Sequence, residues 1–94
     1  MKHVFFILTL LALSATPALA QDPEFNIEEY CKRTQTNKTA YNNCLAEERS
    51  VREEVLGMDM SDDVFNACLE KANNDPNEAN YYSFMSCVNE ASGN

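Results

Sequence analysis

Four cysteines, Cys31, Cys44, Cys68 and Cys87, constrain this chain more than any other feature, because an apolar leader precedes them. Met1, Lys2 and His3 open a weakly basic start, and the apolar run Val4 to Leu13 follows. That run is too short for a bilayer span, which needs about 20 residues. It gives way to Ala18-Leu19-Ala20, the small-x-small pattern of a signal-peptidase site, so cleavage is expected before Gln21. Residues 1–20 then form an export signal, and residues 21–94 form a single periplasmic or secreted domain. Outside the cytoplasm, an even cysteine set implies a disulfide framework.

A mature chain of 74 residues (94 less the 20 of the leader) buries only about 60–65% of its unfolded surface, so its core is marginal. Two bridges closing loops of roughly 14 and 20 residues each add about 3 kcal/mol in the chain-entropy account. Against a typical stability of about 5–15 kcal/mol, that share is large, and the cysteines read as staples. Lys2 leaves with the leader, so six Lys and Arg face 15 Asp and Glu, a net charge of −9. Such a surface repels phosphate backbones and anionic headgroups. No nucleic acid and no membrane insertion after cleavage are therefore expected, and an unidentified protein partner stays open.

Caps and periodicity predict an all-α fold of three to four helices arranged as two helical hairpins. The first helix spans about Asn26 to Arg33, with Asn26 as cap and Glu29 three residues on. Ile27, Tyr30 and Cys31 share one face, and Glu28–Lys32 and Glu29–Arg33 are spaced for i,i+4 pairs. The stretch Thr34 to Lys38 has no apolar residue and reads as a turn; it holds the glycosylation-type triplet Asn37-Lys38-Thr39. A second helix, about Thr39 to Leu56, carries Tyr41, Cys44, Leu45, Val51, Val55 and Leu56 at helical spacing, with Glu48 the one polar residue among them. Gly57 ends it as a residue tolerant of left-handed backbone. Ser61 caps a third helix with Asp62 and Asp63 in its first turn and Val64, Phe65, Cys68, Leu69 and Ala72 as its apolar stripe. Asp75, Pro76 and Glu78 form the start signal of the last helix, which carries Tyr81, Tyr82, Phe84, Met85, Cys87, Val88 and Ala91.

The connectivity has two candidate solutions. Tyr41-Asn-Asn-Cys44-Leu45-Ala-Glu47 parallels Phe84-Met-Ser-Cys87-Val88-Asn-Glu90, and each copy follows one further cysteine across a polar turn. This duplication favours Cys31–Cys44 with Cys68–Cys87, one bridge per hairpin. A nested arrangement, Cys31–Cys87 with Cys44–Cys68, also fits, because Cys44 and Cys68 each lie 12 residues from position 56 beside the Gly57 turn. Four cysteines allow three pairings, and spacing does not choose among them.

Chemistry is narrowed mostly by what is missing. His3, the only histidine, leaves with the leader, which removes Ser–His–Asp and Cys–His nucleophiles and histidine-containing zinc sites. No C-x-x-C pair supports zinc or thioredoxin-like redox work. Glu47-Glu48, Glu53-Glu54 and Asp62-Asp63 sit among basic residues on what reads as a solvated face, with no cleft to raise one carboxylate as glycoside hydrolysis needs. The acidic turns lack the alternation and central glycine of an EF-hand loop. With two glycines, Gly57 and Gly93, the chain has no phosphate-cradling loop. No catalytic residue, cofactor or metal is expected.

The last helix is the best binding candidate. Tyr81, Tyr82 and Met85 are the expected partner surface, since aromatic and Met side chains are enriched at interfaces. Tyr82 points about 100° from Tyr81 and escapes the stripe that packs the core. Met58 and Met60 either extend the patch or tuck under the hairpin. The expected function is an exported, non-catalytic binding or interaction protein of the cell envelope. A carrier holding a small apolar ligand near Phe65, Phe84 and Tyr81 is one alternative, and a secreted effector or inhibitor is another. The stretch Cys31 to Glu90 also resembles a loose group of small exported four-cysteine bacterial proteins of unknown function. The residues that carry the likeness are Cys31, Tyr41, Cys44, Glu47-Glu48-Arg49, Leu56, Cys68, Tyr82-Ser83-Phe84 and Cys87. The tryptophan common between the second and third cysteines of that group is absent here. The resemblance implies a helical exported domain and transfers no activity.

Overall fold

The computed structural model describes residues 21–93. The expected export signal lies outside the described residues. Among the described residues four α-helices form, α1 (Ile27–Thr34), α2 (Lys38–Leu56), α3 (Asp62–Asn74) and α4 (Tyr81–Ala91), with a 3₁₀ turn at Pro76–Glu78 between the last two. Among the described residues there is no strand. Helix α1 packs on α2, α3 packs on α4, and α2 packs on α4, so the two hairpins meet through α2 and α4. Each hairpin carries its own bridge, Cys31–Cys44 in the first and Cys68–Cys87 in the second. The sequential pairing holds and the nested one does not.

Side-chain caps set where each helix begins. Asn26 Oδ1 accepts from the Glu29 amide at 3.0 Å, and the Ser61 side chain accepts from the Val64 amide at 3.2 Å. Each satisfies one of the amides that a helix start leaves without an intrahelical partner. Asn37 belongs to the turn expected from its neighbours and caps α2 by accepting from the Ala40 amide at 2.8 Å. Glu28 and Glu29 at one end of α1 and Lys32 and Arg33 at the other complement its dipole. The expected Glu29–Arg33 pair does not form. Arg33 instead donates to the Pro76 carbonyl at 2.9 Å and to Asn77 at 3.3 Å, tying α1 to the 3₁₀ turn.

Two expectations need correction. Gly57 ends α2 at φ −93°, ψ 0°, an ordinary right-handed conformation, so no left-handed cap is required there. The signal at Asp75, Pro76 and Glu78 starts the 3₁₀ turn only. Asn80 Nδ2 donates to the Asn77 carbonyl at 2.9 Å, and Asn80 Oδ1 accepts from the Ser83 amide at 2.9 Å. One side chain thus closes the turn and opens α4, because local side-chain bonds compete with continuous helix.

The main core joins Val51 and Val55 of α2, Cys68 of α3, and Tyr81, Phe84 and Val88 of α4. Met58 and Met60 pack against it, so they tuck under the hairpin. A smaller cluster surrounds Cys31, Cys44 and Leu45, and Ile27 touches both. Ahead of α1, residues 21–26 form a strap over the core. Phe25 meets Tyr81 and Phe84 edge-on, with centroids 5.1 and 5.9 Å apart, and Phe65 meets Phe84 edge-on at 5.6 Å. Asp22 latches the strap. Its carboxylate accepts from the Tyr81 hydroxyl at 2.7 Å and from Arg52 at 2.8 and 3.2 Å.

Candidate functional site

The site grows from the start of α4. A helix start leaves amides unpaired, and buried ones must find an acceptor. Here Asn80 serves Ser83, while Glu48 of α2 serves the two amides before it. Glu48 Oε1 accepts from the Tyr81 amide at 2.6 Å and Oε2 from the Tyr82 amide at 3.4 Å. Glu48 is 4% exposed and Asn80 2%. The solvated face assigned to Glu48 from its acidic neighbours is therefore wrong. It lies four residues after Cys44 and three before Val51, on the packed stripe of α2, as its helical spacing in the sequence indicates.

Burial pushes the Glu48 carboxyl above its ordinary value, and neighbouring Glu47 adds to this, although the Tyr81 and Tyr82 amides pull the other way. Burial likewise raises the Tyr30 hydroxyl, and the Glu48 carboxylate contributes to the same shift. Tyr30 on α1 and Glu48 on α2, both of the first hairpin, line one side of a gap whose other side is the start of α4.

That gap is a polar groove of about 360 Å³, lined chiefly by Tyr30, Asn43, Glu47, Glu48, Tyr82 and Ser83. Its walls carry two carboxylates and two tyrosines, and no Lys, Arg or His. Tyr82 is 60% exposed, a large aromatic left open on a helix whose first turn is fully hydrogen-bonded. A second groove of about 390 Å³ lies by the strap, lined by Phe25, Ile27, Arg49, Arg52, Glu53 and Tyr81. There Arg49 and Arg52 line the wall with one carboxylate, Glu53, and Arg52 is further paired with Asp22 of the strap.

The three residues expected at the partner surface separate. Tyr82 reaches the groove. Tyr81 is 1% exposed and belongs to the core, because Tyr81, Phe84 and Val88 form the buried stripe of α4. Met85 is half-buried against the same core. The Phe25, Phe65, Phe84 and Tyr81 rings fill the space between the helices by edge contacts, and neither groove is lined by Phe65 or Phe84. Among the described residues, no group of three or more His, Cys, Asp or Glu is placed to hold a metal, and no helix is long and apolar enough to cross a membrane.

Fold and site define a small all-α protein of two disulfide-stapled hairpins with an acidic, tyrosine-walled groove between them. Compared with known protein families, curated proteins and solved structures, the chain matches none.

Proposed function

We propose that this chain is an exported, non-catalytic binding protein, acting in the periplasm or outside the cell, and that the Tyr82 groove is its contact surface. The observation that carries this reading is the exposure of Tyr82, the one large hydrophobic side chain left open among the described residues. Exposed aromatics beside a concavity are the usual anchors of protein interfaces, where a few such residues dominate affinity. The two disulfides fit an oxidising compartment, which agrees with the export signal read from residues 1–20. The deeply buried carboxylate of Glu48 accepts a short bond from the Tyr81 amide and a long one from the Tyr82 amide, which is a structural task at the start of α4. The likeness to small exported four-cysteine bacterial proteins agrees with export and transfers no activity.

The test is affinity capture from an envelope fraction with tagged wild-type protein and the Tyr82→Ala variant, after circular dichroism shows equal helicity. Recovery of a partner by the wild type and its loss with Tyr82→Ala supports the reading. Equal recovery by both, or recovery of none by either, overturns it.

A further inference from the structure

Resting on that reading of the Tyr82 groove, we infer that its partner is a protein presenting a basic segment, one of whose Arg or Lys side chains inserts between Tyr82 and Tyr30 with its head group toward Glu47 and Glu48. Three observations converge on this occupant. The groove is a concavity of about 360 Å³ whose walls include two carboxylates and no cation. Two aromatic rings border it, and a guanidinium or ammonium over a tyrosine face is attracted by the ring quadrupole. The Arg33 guanidinium carbon lies 5.7 Å from the Tyr30 centroid and engages that ring within the molecule, so the ring open to a partner's cation is that of Tyr82, 60% exposed.

Charge complementarity selects the sign of the partner. The whole chain carries −8, so the field around it favours approach of a cation at any orientation, and the groove concentrates that field at one place. Glu48 holds only one short bond, to the Tyr81 amide at 2.6 Å, while its contact to the Tyr82 amide is long at 3.4 Å. Its second oxygen thus retains accepting capacity toward the groove. Glu47 is exposed beside it and free of an ion pair among the described residues. A basic side chain would offset the burial of Glu48 and cover the open face of Tyr82 together.

The probe is an acetylated tetra-arginine amide, titrated at about 0.15 M ionic strength and followed by backbone amide shifts. Shifts are expected at residues lining the groove. Glu47→Gln and Tyr82→Ala, both at exposed positions, are each expected to weaken binding about three-fold. Glu90→Gln removes an equal charge eight residues along α4, about 12 Å away and beyond the Debye length at 0.15 M salt, and is expected to leave binding within about 1.5-fold. Three outcomes overturn the inference: no binding, an equal response to Glu90→Gln, or spermine binding as tightly with the same dependence on Glu47. A captured partner that requires Tyr82 but not Glu47 also overturns it, and leaves the reading of the preceding section standing.

Discussion

Glu48 is a carboxylate whose geometric role and charge work against each other. The α4 start needs an acceptor at that point, but burial disfavours the ionised form. The two demands separate by substitution. Glu48→Gln keeps an oxygen for the Tyr81 amide and is expected to cost under about 1 kcal/mol at neutral pH, whereas Glu48→Ala orphans that amide and is expected to cost about 2–3 kcal/mol in urea unfolding. The pH dependence has a fixed sign. The folded pKa of Glu48 lies above its ordinary 4.5, so the folded state binds its proton more tightly and stability falls as pH rises above that value. Asp22 runs the other way. Burial would raise its carboxyl, but the Glu24 amide, the Tyr81 hydroxyl and Arg52 outweigh it and hold it below 3.8, so its contribution is lost as pH falls below that value. Stability measured across pH 2–8 should lose its neutral-side decline in Glu48→Gln and part of its acid-side decline in Asp22→Asn. Glu24 is the strained residue of the strap, at φ +58°, held there by its amide donating to Asp22 at 2.8 Å after Pro23. A left-handed non-glycine residue costs about 1–2 kcal/mol, so Glu24→Gly is expected to raise stability by up to about 1 kcal/mol. Unchanged or lower stability would show that the strap is not strained.

The helices were legible because each has a local cause. Asn26 and Ser61 cap α1 and α3 as their spacing suggests, and the stripe Cys44, Leu45, Val51, Val55 fixes the buried face of α2. The start of α4 was misplaced because Asp75-Pro76 satisfies the same rules as a helix start, while its outcome depends on a competitor five residues on. Asn80 wins because its side chain bonds both Asn77 and Ser83, and because Glu48, distant in sequence, accepts from the amides between. No local pattern encodes that last contact. The site was legible to the same degree. Tyr82 was separable from Tyr81 by helical angle, but the groove needs Tyr30 and Glu47 from the other hairpin and became visible only on assembly. Asn80→Ala removes both bonds of a buried side chain and is expected to cost about 2 kcal/mol, with faster amide exchange confined to the first turn of α4. Uniformly faster exchange would mean that Asn80 supports the whole molecule rather than one helix end.

At the scale of the molecule, the two hairpins meet through the main core shared by α2 and α4, and the bridges compensate for that core being built from few large side chains. Removing about 3 kcal/mol per bridge from a total of about 5–15 kcal/mol leaves little, so the reduced chain is expected to lose its cooperative thermal transition. The latch of Asp22 with Arg52 and Tyr81 at one end, and of Arg33 with the 3₁₀ turn at the other, then act across the seam between hairpins that the disulfides leave unlinked. Everything proposed for the Tyr82 groove depends on this arrangement, because the groove's walls come from both hairpins. The bridge pairing is tested most directly by mass spectrometry of unreduced tryptic peptides, since Lys38, Arg49, Arg52 and Lys71 separate the cysteines from one another. The expected result joins the peptide ending at Lys32 or Arg33 to 39–49, and 53–71 to the peptide following Lys71. A link between 39–49 and 53–71 would contradict the account.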